Sequence, residues 1–192
     1  FYNELAKPSK PEVAPLSAKS IKNIHGVLHK ALKQAVLTGY LRTNPSEACI
    51  LPRIIRKEMH PLEEDQVAVF LREVQGHPHE YLYKIALFTG LREGEVLGLG
   101  WEHIDFQTGT LTVKRQLRRE QKKGGRYYFS PPKNNKSRCL TLAPSVIQLF
   151  RLQKLEQNSM RMEAGDAWEE HGLIFTNQTG GYLSYRTVYD CF

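Results

Sequence analysis

The sequence predicts a mainly α chain with a small antiparallel β-sheet, an α+β class, and three observations carry it. Apolar residues recur at helical spacing in several long segments, and three short runs between residues 110 and 142 alternate and are separated by turn residues. There is also no alternation of strand and helix of the kind that builds a parallel sheet.

In chain order, Ser17 is an N-cap, and Ile21, Ile24, Leu28, Ala31, Leu32, Ala35 and Val36 mark one face of a helix ending at Gly39. The other face carries Lys19, Lys22, His25, Lys30 and Lys33, a basic stripe that can lie along phosphates. His25 and His29 stand at i, i+4, but with no third ligand or acidic partner nearby they read as surface residues. Asn44-Pro45 is a turn, and LPRIIRKEMHP, which holds Arg53, Arg56 and Lys57, reads as an exposed basic linker. The expected division is a helical domain over 1–51, a linker over 52–60 and a second domain over 61–192.

The second domain opens with LEEDQVAVFLREV, an amphipathic helix whose first turn holds Glu63, Glu64 and Asp65, where the helix dipole favours them. A loop at His77-Pro78-His79 precedes a helix that ends on Gly90. The β segments are TLTVKRQL (110–117), RYYFS (126–130) and RCLTL (138–142), expected to form one meander with basic turns at Lys122-Lys123-Gly124-Gly125 and Lys133-Asn134-Asn135-Lys136. Pro144 opens a helix through Val146, Leu149, Leu152 and Leu155. Leu173-Ile174-Phe175 is a short extended piece, and Ser184 caps a last helix. Gly124-Gly125 and Gly180-Gly181 are turns, since neither completes a P-loop or a GxGxxG pattern.

Composition narrows the function. No apolar run approaches the ~20 residues of a membrane span, and the first residues, FYNELAKPSKPEVAP, have no apolar signal core, so a cytoplasmic location is the default. Cys49, Cys139 and Cys191 are far apart and in no metal-ligand spacing, which suits a reducing compartment and implies neither a zinc site nor a disulfide framework. The net charge of +7 is unevenly spread: residues 1–60 carry +6, residues 61–110 carry −6, residues 111–140 carry +9 and residues 141–192 carry −2. Thirty residues at +9 repel one another unless a polyanion neutralises them, so nucleic acid is the favoured partner, against the plainer reading of a solvated lysine-rich hairpin.

The stretch FTGLREGEVLGL, from Phe88 to Leu99, places Arg92, Glu93 and Glu95 inside an apolar run. Gly90 ends one helix, Arg92 starts the next turn, and Glu95 at i+3 can hold the guanidinium in one orientation. Val96, Leu97 and Leu99 pack inward, so the pair is at least partly buried. Taken alone, it is either a structural ion pair or an arginine presented to an anion.

With FTGLREGEVLGLGWEHIDF, then PPKNNKSRCLTL, then GLIFTNQTGGYLSYRTVYDCF, the chain resembles the catalytic domain of the tyrosine recombinases, the phage and conjugative-transposon integrase family. SIKNIHGVLHKALKQAVLTGYLRTNP is similar to the end of that family's helical core-binding domain. The resemblance implies a partial core-binding domain followed by a partial catalytic domain, with Arg92 the first catalytic arginine, Glu95 its acidic support and Lys133 the catalytic lysine of the hairpin turn, or Lys136 in its place. It implies no metal and no cofactor. The family's His-x-x-Arg box and nucleophilic tyrosine are not found, and Tyr185 and Tyr189 precede the place where the box is expected. Together with a start on Phe1 and an end within a helical pattern, this reads as a fragment of a longer protein.

The implied partner is double-stranded DNA at attachment sites, gripped by Lys19, Lys22, Lys30, Lys33, Arg53, Arg56, Lys57, Lys114, Arg118, Lys122, Lys123, Arg126, Lys136 and Arg138. The full-length protein is expected to work as a homotetramer in the bacterial cytoplasm or nucleoid, with no membrane partner. Two other readings stay open at this point: a DNA-binding regulator that kept the fold without the chemistry, and an unrelated basic RNA-binding protein.

Overall fold

The computed structural model describes residues 1–55, 58–122 and 124–191. The chain divides into two compact units, residues 1–61 and the residues from 62 on.

In the first unit, α1 (Tyr2–Ala6) precedes α2 (Ala18–Leu37), whose N-cap is Ser17 with its hydroxyl accepting from the Ser20 amide at 3.1 Å. The sequence places both ends of this helix correctly, and Gly39 follows it at φ 81°. Of the expected inward face only Ile21 is fully buried, while Ile24 and Leu28 remain exposed. His29 Nδ1 lies 2.9 Å from the Ser46 hydroxyl and His25 Nδ1 lies 3.2 Å from the Tyr2 hydroxyl, so both imidazoles have ordinary hydrogen-bond partners.

The second unit starts with α3 (Glu64–Glu73), whose Gln66 side chain accepts from the Glu63 amide at 3.0 Å. Next come α4 (Glu80–Thr89), closed by Gly90 in the left-handed conformation, and the short α5 (Glu93–Leu97). Five strands follow: β1 (Ile104–Asp105), β2 (Thr110–Val113), β3 (Gln116–Arg119), β4 (Tyr127–Ser130) and β5 (Arg138–Thr141). The long helix α6 (Pro144–Ala164) and α7 (Tyr185–Asp190) complete the unit.

The strands form two antiparallel sheets, in the orders β1-β2-β5 and β3-β4, instead of the single expected meander. The break falls at Lys114-Arg115, within the expected strand 110–117. Arg115 stands in phase with the inward-facing Leu111, Val113 and Leu117, and a charge there has to be satisfied or turned out. It is satisfied: its Nε donates to the Gly98 carbonyl at 3.0 Å, Nη2 meets Glu102 at 3.1 Å, and the guanidinium lies 4.1 Å from the Phe129 ring centre. The chain changes sheet at that point.

Ile85, Leu99, Leu111, Val113, Phe150 and Ile174 form the most deeply buried part of the core, between the β1-β2-β5 sheet and helices α4 and α6. Segment 172–174 joins it by bonding to the strand that leaves α5: the Ile174 amide donates to the Leu99 carbonyl at 3.0 Å and the Trp101 amide to the Gly172 carbonyl at 3.0 Å. Gln157 on α6 accepts from the Trp101 indole at 2.7 Å and donates to the Leu173 carbonyl at 2.8 Å, which satisfies polar groups inside the core. The exit of α5 is thereby fixed from three sides.

Candidate functional site

Arg92 is the N-cap of α5, with an extended backbone at φ −69° and ψ 148°, so its side chain leaves the helix axis and does not lie along a helix face. Glu95, three residues on, accepts the Arg92 amide at 2.9 Å and so closes the first turn of the helix. The same carboxylate accepts from Arg92 Nη1 at 3.1 Å. Arg138, at the start of β5, completes the set with Nη1 on one carboxylate oxygen at 2.9 Å and Nη2 on the other at 2.7 Å. A single carboxylate therefore holds two guanidiniums.

Exposure separates the three members. The Glu95 side chain is 1% exposed, Arg138 36% and Arg92 63%. A buried carboxylate with these donors stays ionised, and the two-point bond from Arg138, followed by the Arg92 contacts, lowers its pKa from 4.5 to about 2 against the opposing effect of burial. The Nε and Nη2 of Arg92 have no protein partner among the described residues, which leaves paired donors open to solvent.

Arg92 lines an open cleft of about 630 Å³ together with Gly90, Pro132, Lys133, Asn134, Lys136, Ser137 and Arg138. The two lysines considered for the hairpin turn are thus brought to the arginine. Their segment, residues 131–137, is not the turn of a two-stranded hairpin, because β4 pairs with β3 and β5 pairs with β2. It is a crossover between the sheets, tied by the Gln116 side chain to the Pro131 carbonyl at 2.6 Å and by the Asn135 amide to the Pro132 carbonyl at 2.8 Å, with Asn135 at φ 55°. Lys133 and Lys136 are exposed and make no hydrogen bond or ion pair among the described residues.

A second cavity, of about 730 Å³, collects Arg118, Arg119 and Lys122 of the β3-β4 hairpin with Tyr127, Tyr185 and Arg186. Lys122 is paired with Glu120 at 2.8 Å, and Arg119 donates to the Gly125 carbonyl at 2.9 Å. Lys114 and Arg126 are exposed elsewhere on the same unit. In the first unit Lys19, Lys30, Lys33 and Arg53 are exposed and Lys22 is half-buried. Arg56, Lys57 and Lys123 lie outside the described residues. Arg138 lines the same cleft at 36% exposure, and Nη1 and Nη2 each also give one hydrogen bond to Glu95.

Sequence reasoning did not find that Arg138–Glu95 bond, nor the seat of α5. Gly94 and Gly98 let the helix lie directly on β3; a Cβ on Gly98 would stand 2.8 Å from the Leu117 nitrogen, and one on Gly94 would stand 3.1 Å from the Leu117 carbonyl oxygen. The spacing of these glycines in EGEVLG was the available signal. The Arg138–Glu95 pair spans 43 residues and left no local one.

Residues 60–192 match the model of the phage integrase family. A tyrosine recombinase XerC-like protein of Caldanaerobacter subterraneus subsp. tengcongensis is 29% identical over 199 residues, which cover 95% of this chain and 49% of that protein. An integrase of Streptomyces ambofaciens is 29% identical over 181 residues, 90% of this chain and 45% of its own. Among solved structures, the Tn1549 transposon integrase in complex with transposon right end DNA has a TM-score of 0.72 at 25% identity, over 88% of this chain and 54% of that one. The chain spans about half the length of the curated relatives it matches.

Proposed function

The chain belongs to the phage integrase family, and on that premise we propose that it is the DNA-gripping, phosphate-facing part of a site-specific recombinase that integrates a mobile element. In the full-length protein a tyrosine oxygen attacks a DNA phosphate, the bond to the 5′-oxygen breaks, and a 3′-phosphotyrosyl ester keeps the bond energy for rejoining. Negative charge builds on the nonbridging oxygens in the transition state. Arg92 is suited to receive it, since a planar guanidinium offers paired donors and stays charged. Glu95 fixes that guanidinium in advance. Lys133, unpaired and on the same cleft, donates a proton to the leaving 5′-oxygen, with Lys136 the alternative donor.

The observation that carries this reading is the cleft itself: an exposed arginine held by a buried carboxylate lines it together with two lysines that have no partner among the described residues. Among the described residues no tyrosine lines this cleft. The chain is therefore expected to bind DNA without cutting it.

Residues 1–51 act in this proposal as the end of a core-binding domain, 52–60 as a linker and 61–192 as the catalytic part. The partner is double-stranded DNA at attachment sites, bound by a homotetramer of the full-length protein in the bacterial cytoplasm or nucleoid. Among the described residues no helix is long and apolar enough to cross a membrane. The names of the relatives, integrases and recombinases, support this reading over a regulator that lost the chemistry.

The test is to incubate the 192-residue chain with a nicked duplex carrying an element end. Retardation that weakens steeply with salt, and no covalent protein–DNA adduct, are the expected results. An adduct would contradict the expectation of binding without cutting, and no retardation at low salt would contradict the DNA reading.

A further inference from the structure

The family resemblance assigned roles to Arg92, Glu95 and Lys133 and left Arg138 among the general phosphate contacts. The geometry gives Arg138 a different task. It is the first residue of β5, its backbone is held in register opposite Val113 of β2, and it immediately follows the crossover that carries Lys133. Its guanidinium reaches across to α5 and binds both oxygens of Glu95.

We propose that Arg138 is a positioning residue for the phosphate site: its two-point bond to Glu95 orients the carboxylate that holds Arg92, and it pins the foot of the Lys133 crossover to α5. This rests on the reading of Arg92 as the phosphate ligand.

Three features support it beyond the existence of an ion pair. Glu95 has two oxygens to direct, and Arg92 approaches one through Nη1 and the other through its backbone amide. Arg138 adds a second donor to each oxygen from a single planar group, a two-point hold that a guanidinium fork can give and an ammonium cannot. Second, the chemistry is asymmetric. Arg92 is largely exposed with its Nε and Nη2 free, whereas Arg138 spends both terminal nitrogens inward, so one arginine is presented and the other holds. Third, two cations on one anion leave the group with a net positive charge, which favours an incoming phosphate while keeping the buried carboxylate ionised.

The test uses the 192-residue chain, its R138M and R138K variants, and two nuclear magnetic resonance readouts. In the first, a 13C-labelled Glu95 carboxyl is titrated. The wild-type midpoint is expected at about 2, with that of R138M about 1–3 pH units higher and R138K in between. In the second, the Arg92 Nε–H resonance is followed before and after saturation with duplex DNA. Wild type should show a distinct resonance that moves on binding; R138M should show it broadened toward the free-arginine position and unmoved by DNA, and R138K should recover part of the response.

An unchanged Glu95 midpoint in R138M, or an Arg92 response to DNA equal to wild type, overturns the positioning role. If Arg92 of the wild type does not respond to DNA, the phosphate-ligand reading fails instead. The positioning role is then decided by whether R138M still loses the distinct Arg92 resonance in the free protein. R138K, which keeps a charge but not the fork, separates orientation from simple charge: equality with wild type in both readouts also overturns the proposal.

Discussion

Arg92 and Lys133 line the same cleft, but the chain treats them in opposite ways. Arg92 leaves a helix turn that is closed by its own partner, seated on β3 through two glycines and tied to β5 through Arg138. Lys133 sits on a crossover between two sheets, exposed and without a side-chain partner among the described residues. The difference matches the chemistry proposed for each. An oxyanion donor works best when its orientation is set before the charge develops. A proton donor has to follow a departing oxygen, and a lysine on a surface connection can do so.

Changes on the held side of this comparison should cost stability, while those on the free side should not. The largest effect is expected from Glu95→Gln, which leaves the two guanidiniums without an anion and should lower the unfolding free energy by about 2–4 kcal/mol in urea melts. The pH dependence has a definite sign. The Glu95 pKa is lowered from 4.5 to about 2 in the folded chain, so its contribution is fully present above about pH 4.5 and is lost as pH falls toward 2. That contribution is on the order of 3 kcal/mol at most, and Glu95→Gln should flatten the acid limb of the stability profile by a similar amount.

Gly98→Ala comes next, because its methyl would stand 2.8 Å from the Leu117 nitrogen, which is backbone and cannot turn aside. A loss of about 1–3 kcal/mol is expected, read from the shift in urea midpoint. At the other end, Lys133→Ala should stay within about 0.5 kcal/mol of wild type. A loss comparable to that of Glu95→Gln would mean that the lysine is a structural member and would erase the contrast.

The hairpin offers a further contrast, between gripping DNA and acting on it. Neutralising Lys122 and Arg126 together should weaken duplex affinity and reduce the slope of log affinity against log salt by up to about 2. Lys122 is partly held by Glu120, so Arg126 is expected to contribute the greater share.

Legibility in the sequence followed distance along the chain. Ser17 as a cap, Gly90 as a helix stop and Glu95 reaching back to Arg92 are all settled within four residues, and each was readable as a local pattern. The alternation in 110–117 was also real, yet its two halves serve different sheets. The choice between them depends on what Arg115 meets, which is the Gly98 carbonyl and Glu102. In the first unit, helical periodicity located α2, while the exposed Ile24 and Leu28 show that periodicity marks an apolar face and not what covers it. Arg138 was the costliest miss. In SRCLTL it is one more basic residue in a block of +9, and only the fold reveals that it points at Glu95.

The role proposed for Arg92 is phosphate chemistry and not binding strength. Its most direct measurement is covalent adduct formation on a nicked duplex by the full-length protein proposed above, with and without Arg92→Ala, alongside duplex affinity. A fall in adduct formation of about 100-fold or more is expected, with affinity changed by roughly threefold or less. Adduct formation at the wild-type rate, or a loss fully matched by lost affinity, would contradict it.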